Sequence, residues 1–308
     1  TNGESLKLLR PRKENNMFKK TALIAGIGLA LSATAQADYQ WELGAGYAGG
    51  KVDSTLKTDT GTTSNNNDTD VWTVDGTWYM ETVDTSKGPL GESAFLDHAS
   101  NLTLAFTDGP VEFSNFDNED GQTYSVSSRY VAEGPGWKLS GWLMDLGYER
   151  REPGDAEIDF YNIGIGKYIT PNTTFVFNYD RIDVNNGNDT NGYSADLAHF
   201  FAFSSGGLKV NAGGGKVVVS GADDVEVYDV GATWYLNNNW GIGAAYQNTS
   251  QDGYELAGYA ANIQWFITES FAVDLAYEQV DPDDIKFGNG DKLETEIDQY
   301  SISALYRF

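Results

Sequence analysis

The last eleven residues, Asp298-Gln-Tyr-Ser-Ile-Ser-Ala-Leu-Tyr-Arg-Phe308, set the tightest constraint on this chain. Tyr300, Ile302, Ala304, Tyr306 and Phe308 occupy every second position, with Gln299, Ser301, Ser303 and Arg307 among those between. A strand sends successive side chains to opposite faces, so one face of this segment is apolar and aromatic while the other is mostly polar. Such a strand stands between two solvents. A water-soluble sandwich satisfies the same alternation, and the remainder of the chain has to decide between the two settings.

Composition narrows the choice. The chain has 308 residues and no Cys, which excludes a disulfide framework and a thiolate metal site. No run approaches the roughly 20 apolar residues of a membrane helix. Acidic residues outnumber basic ones, 45 to 20, so neither nucleic acid nor an anionic surface is expected as a partner. The 35 Gly and the scattered Asn-Gly and Asp-Gly steps suit many short strands joined by turns.

Residues 17–37 read as a secretory leader: Met17-Phe-Lys-Lys20 is a basic start, Thr21 to Leu31 an apolar core and Ala35-Gln-Ala37 a small-x-small cleavage site. Residues 1–16 have no place upstream of such a leader and read as a start codon assigned too early. Six of the 20 basic and two of the 45 acidic residues lie within 1–37, so the expected exported domain, 38–308, carries a net charge of −29.

Alternation and turn chemistry predict fourteen strands in that domain. The first is Tyr39 to Lys51, with Tyr39, Trp41, Leu43, Ala45 and Tyr47 on one face; a polar loop, Ser54 to Asp70, leads to the second, Val71 to Met80. Asn101 to Ser114 and Gln122 to Ala132 follow, separated by the acidic segment Asn115 to Gly121. Beyond them two kinds of connection alternate. The turns at 130–137, 168–175, 200–208, 234–240 and 265–271 are short and flanked by bulky, mostly aromatic residues, whereas 150–157, 184–191, 220–224, 249–253 and 281–292 are acidic and rich in Asn and Gly. Short turns with an aromatic girdle at one end and polar loops at the other fit a barrel that crosses a membrane. The expected fold is an all-β, transmembrane, antiparallel up-and-down barrel of about fourteen strands, with twelve or sixteen as alternatives.

Two resemblances sharpen this reading. The closing aromatic alternation, Tyr300, Ile302, Ala304, Tyr306 and Phe308, resembles the terminal strand of Gram-negative outer-membrane barrels, which implies an outer-membrane location and recognition of those residues by the barrel-assembly machinery. The connection Glu81 to Ser100 falls on the short-turn side yet has about twenty residues, and within it Asp84-Thr-Ser-Lys-Gly-Pro-Leu-Gly-Glu-Ser-Ala-Phe-Leu96 is similar to a segment of uncharacterised porins of Gammaproteobacteria. Its Lys87, Gly88, Pro89, Leu90 and Phe95 are candidates for a constriction, because apolar residues around a fixed Pro turn are poorly placed in water. The third loop, Arg150 to Glu157, is only eight residues. The lumenal constriction of trimeric general porins, built from a long third loop, is therefore not carried over.

With the aromatic face toward lipid, the alternate positions line a lumen: Asp75, Arg129, Lys138, Asn178, Asp180, Asp196, Lys209, Asn211, Asp229, Asn262, Gln264, Asp274, Glu278 and Arg307. Carboxylates dominate this set and favour cations. The expected function is passive diffusion of small hydrophilic solutes and cations, with lipid and lipopolysaccharide as surroundings. A non-conducting structural, adhesive or receptor barrel is the alternative. A lipid hydrolase is the third reading, since His98-Ala-Ser100 would place both side chains on one strand face. His199 reads as an interfacial imidazole on the lipid face. No cofactor motif is present, and Asn65 to Asp70 and Asp281-Pro-Asp-Asp284 lack the spacing of a calcium loop.

Overall fold

The computed structural model describes residues 38–58, 61–111, 119–132, 140–154, 156–185, 189–219, 223–251, 254–286 and 292–308. They form the strands β1 (Tyr39–Thr58), β2 (Gly61–Val83), β3 (Asn101–Val111), β4 (Glu119–Val131), β5 (Trp142–Pro153), β6 (Ile158–Thr170), β7 (Thr173–Val184), β8 (Thr190–Phe203), β9 (Gly206–Val219), β10 (Val225–Tyr235), β11 (Trp240–Gln251), β12 (Tyr254–Thr268), β13 (Phe271–Pro282) and β15 (Lys292–Arg307), with a two-residue stub, β14 (Ile285–Lys286). Each long strand pairs antiparallel with its sequence neighbours, and β15 returns to pair with β1, which closes a fourteen-stranded barrel. No helix among the described residues is long and apolar enough to cross a membrane.

The barrel is inside out relative to a soluble core. Leu104, Ile163, Ile165, Phe177, Trp234, Tyr259 and Tyr300 are all exposed on its outer wall, and the residues between them face inward. At the short-turn end the loops are minimal: Pro171-Asn172, Ser204-Ser205 and Glu269-Ser270 separate consecutive strands. Gly206 opens β9 at φ 119°, where an added Cβ would lie 2.1 Å from the Tyr235 carbonyl oxygen, so only glycine fits.

Three departures from the sequence expectation have local causes. Ser54 to Thr58 and Gly61 to Asp70 are strand and not loop: β1 and β2 pair without interruption from Trp41↔Trp78 to Thr58↔Gly61. Thr-, Ser- and Asn-rich segments keep enough strand character to extend a ladder already nucleated by the apolar strands, and Glu119 to Gly121 likewise belong to β4. Tyr39 does not share a face with Trp41, because the backbone N–H groups of Gln40 and Trp41 both donate to the Phe308 carbonyl, at 3.0 and 2.9 Å. This bulge turns Tyr39 inward, where it is buried.

Candidate functional site

The long connection between β2 and β3 builds a small folded unit from purely local rules. The Asp84 carboxylate caps a 3-10 turn, Thr85–Lys87, by accepting from the Ser86 N–H, and these bonds hold its pKa below the usual carboxylate value. After Gly88-Pro89 come a second 3-10 turn, Leu90–Glu92, and a single α-helical turn, α1 (Ser93–Leu96). Asp97 ties the unit together, accepting from the Asp84 N–H at 2.9 Å and pairing with Lys87. His98, at φ 56°, reverses the chain into β3.

This unit lies across the short-turn end of the lumen and touches strands around most of the circumference. Leu90 packs with Phe266, Ala272 and Leu305; Leu96 with Phe200 and Tyr235; Phe95 with Val131, Leu143, Tyr168 and Val176. Burying those apolar side chains removes them from the water of the lumen, which is the driving force for docking. Polar anchors fix its orientation. The Leu90 N–H donates to the Asn238 carbonyl at 2.9 Å, and the Tyr168 hydroxyl to the Phe95 carbonyl at 3.0 Å. Gly91 passes so close to the wall that an added Cβ would lie 2.1 Å from Gln264 Oε1.

Two buried ion pairs secure the same floor. Glu92 accepts from Tyr235 Oη at 2.7 Å and from Lys209 Nζ at 2.6 Å, while the Lys209 ammonium sits 4.6 Å from the Phe95 ring centroid. Arg307 donates through Nε to Glu42 Oε1 at 2.6 Å and through Nη1 to the Leu90 carbonyl at 2.8 Å, between the rings of Tyr39 and Phe266. Glu42 also accepts from the Tyr79 hydroxyl at 2.7 Å.

Above the floor, the register puts Asp75, Arg129, Asp180, Asp196, Lys209, Asp229, Asp274 and Glu278 on the inward face. Every inward cation among the described residues of the wall is matched by one carboxylate: Arg129 with Asp145, Arg151 with Glu149, Lys209 with Glu92 and Arg307 with Glu42. The carboxylates left over, Asp75, Asp180, Asp196, Asp229, Asp274 and Glu278, have no cation within ion-pair distance among the described residues. Asn162, Asn178 and Asn262 donate instead to Asp180, Asp196 and Asp274. Inward glycines give these side chains room: a Cβ on Gly213 would lie 2.3 Å from Asp229 and 2.5 Å from Asp196. Recesses lie beside them, about 410 Å³ at Asp75 and Asp274, about 260 Å³ between Arg129, Asp196 and Asp229, and about 250 Å³ at Asp180, Asp196 and Asp229.

The remaining sequence candidates fall as follows. Lys138 lies outside the described residues, as does most of the 130–137 turn. Lys87, Gly88, Pro89, Leu90 and Phe95 all belong to the floor, with Leu90 and Phe95 facing the wall. Tyr300, Ile302, Ala304 and Tyr306 share the outer face of β15, and Phe308 stacks on Trp41. His98 and Ser100 do not share a strand face: His98 Nε2 lies 2.7 Å from the Pro171 carbonyl oxygen, whereas Ser100 Oγ accepts from the Val131 N–H. His199 faces outward beside Phe201, with Nδ1 2.7 Å from Thr173 Oγ1. Among the described residues no group of three or more His, Asp or Glu side chains is placed to hold a metal ion.

Sequence reasoning missed the inward aromatics Tyr168, Phe200, Tyr235 and Phe266, assigning all aromatics at the short turns to the girdle. A signal was present. Tyr168-Ile169, Phe200-Phe201, Trp234-Tyr235 and Trp265-Phe266 are adjacent bulky pairs, and a strand that alternates must send one member of each pair inward. The outward members are exposed and the inward ones buried against the floor or its supports.

A closed antiparallel barrel with an apolar, aromatic outer wall and a charged lumen defines an outer-membrane channel protein of a Gram-negative bacterium. Over residues 18–212 the sequence matches the family described as "Putative general bacterial porin", and the chain belongs to that family. No curated protein matches the sequence. Among solved structures, the Acinetobacter baumannii outer membrane protein Omp33 is similar at 20% identity and TM-score 0.59, covering 89% of this chain and 100% of its own. A deletion mutant of the monoaromatic hydrocarbon channel TodX is similar at 10% identity and TM-score 0.54, covering 88% of this chain and 91% of its own. A bacterial polysaccharide outer membrane secretin is similar at 11% identity and TM-score 0.51, covering 88% and 99%. At these identities the likeness is one of fold, and the family and fold point to transport rather than catalysis.

Proposed function

We propose that this protein is a passive, cation-preferring channel for small hydrophilic solutes, narrowed at its short-turn end by the segment Asp84 to Ser100. The observation that carries the reading is the lumenal charge balance among the described residues: four cations each neutralised by one carboxylate, and six carboxylates without a cation. Fixed, uncompensated negative charge along a water-filled path raises the local concentration of cations and lowers that of anions. Refolded protein in a planar bilayer under a KCl gradient should give a reversal potential of cation-preferring sign that shrinks as salt shortens the Debye length. Asp196→Asn, Asp229→Asn and Asp274→Asn together should move it toward zero. An anion-preferring wild type would overturn the reading.

One observation favours a second reading, a barrel that is closed at rest: the floor is bonded to the closing strand β15, through Arg307, and to the opposite wall, through Lys209. Replacing residues 83–98 with an Asn-Gly turn separates the two. A constriction in a conducting pore predicts a graded rise in conductance and in the size limit for sugars. A closed barrel predicts conductance only in the shortened variant.

A further inference from the structure

The recess of about 410 Å³ lies against the seam where β15 meets β1, and its wall differs from those of the two smaller recesses. Ala45, Tyr47, Ile302 and Ala304 line it although their side chains point outward, so here the backbone itself is the wall. Bare backbone requires short inward neighbours. Gly44, Gly46 and Ala48 on β1 and Ser301 and Ser303 on β15 supply them. Gly46 faces Thr73 on β2 and Ser303 on β15, and Ser303 in turn faces Asp274 on β13. The Thr73 hydroxyl is bonded sideways to that of Thr107, at 3.0 Å. A Cβ added to Gly46 would meet nothing beyond its chain neighbours nearer than 3.5 Å, which is ordinary contact.

Glycines of the opposite wall serve a different purpose. A Cβ on Gly164 would lie 2.5 Å from Asn178 Oδ1, one on Gly213 2.3 Å from Asp229, and one on Gly231 2.7 Å from Asn211 Oδ1. Each of these glycines is covered by a neighbouring polar side chain, so the missing Cβ seats that side chain and does not widen the lumen. The floor repeats the asymmetry. Phe95 lines the recess between Arg129, Asp196 and Asp229, whereas no described residue of Asp84 to Ser100 lines the seam recess. Ala272 and Leu305, which do line it, also pack with Leu90, so the seam side reaches the floor at Leu90.

We propose that small cations and polar solutes cross the lumen off its axis, along the inward faces of β13, β15, β1 and β2, and that the bare backbone at Gly46 sets the width of this route, which presupposes the open channel proposed above. Shape and charge coincide there. Asp75 and Asp274 flank the recess, and both are among the lumenal carboxylates without a cation, so a permeating cation meets negative charge where the wall stands farthest back. On the opposite wall the carboxylates are packed among amide side chains, as Asn162 and Asn178 donate to Asp180 and Asp196. That wall contributes to the field in the lumen, and the seam wall carries the flow.

Thiol labelling tests the route. The chain has no Cys, so Gly46→Cys, Ser303→Cys and Ser194→Cys each carry a single thiol. The first two place it in the seam recess and the third in the recess at Asp180, Asp196 and Asp229. Each refolded variant is treated with benzyl methanethiosulfonate, a neutral reagent that adds bulk without charge, and the extent of labelling is read by mass. Before labelling all three should conduct like the wild type in a planar bilayer. Labelling at either seam position should then remove most of the single-channel conductance, whereas at Ser194→Cys the reagent should leave it unchanged, whether or not it reacts. A seam thiol that the reagent does not reach, a labelled seam variant that conducts as before, or an equal loss at Ser194→Cys would overturn the route while leaving the channel reading intact. A wild type that passes no current would overturn the channel reading, and the route with it.

Discussion

The two ends of this barrel use the same ion pairs in opposite environments. At the short-turn end, Glu92 and Lys209 have side-chain exposures of 5% and 27%, and Glu42 and Arg307 of 12% and 6%. At the loop end, Lys216 and Asp224 are exposed at 51% and 37%, and Arg181 and Asp189 at 45% and 54%. In the first setting water has been displaced, so each charge depends on its partner. In the second, water and salt solvate either partner when the other leaves. The floor is therefore a specific, high-stakes packing arrangement, whereas the loop end is an acidic surface whose pairings are interchangeable.

The largest expected effect follows from breaking a floor pair from one side. Lys209→Met keeps most of the aliphatic packing against Phe95 but leaves Glu92 buried with only the Tyr235 hydroxyl for company. Removing one partner of a buried pair typically costs about 3–5 kcal/mol; the lower figure applies here because Lys209 retains some solvent. The unit can escape that cost by undocking, so conductance should rise while the pairing of β15 with β1 stays intact. Lys209→Met combined with Glu92→Leu removes the stranded charge and should reseat the floor. A double variant as conductive as the single one would show that the pair, rather than the stranded carboxylate, holds the unit in place.

How much of this was legible in the sequence differs between the same two regions. Strand number and the two kinds of end were readable because alternation and turn chemistry are local properties, and Trp234 or Ile263 declares its face by its neighbours. The β1–β2 extension was not, because Thr, Ser and Asn in Ser54 to Asp70 are as compatible with a loop as with a strand until a paired partner is known. The floor was half legible. The length and apolar content of Glu81 to Ser100 marked it as unusual, and the adjacent pairs such as Phe200-Phe201 held the complementary signal. Glu92 and Glu42 gave no local sign of their roles, since a buried carboxylate is recognised only by partners far away in sequence: Lys209 for one and Arg307 for the other. The bulge at Gln40 is likewise created by the closing strand and cannot be read from β1 alone.

The smallest expected effect lies at the loop end, and it tests the comparison from its other side. Arg181→Ala removes the partner of Asp183 and Asp189, and Lys216→Ala the partner of Asp224, three ion pairs in total. All of these carboxylates keep access to water, so none is stranded. Loss of a long, mobile side chain also returns conformational freedom that the pair had restrained. Thermal midpoints of both variants, measured in detergent alongside Lys209→Met, should match the wild type within the reproducibility of the scan. The match should hold at low and at high salt, because a contact that contributes nothing cannot be screened. A loss at low salt that disappears at high salt would mean that the acidic surface is under enough mutual repulsion for single cations to matter, and the loop end would then have to be treated as an electrostatic network in its own right.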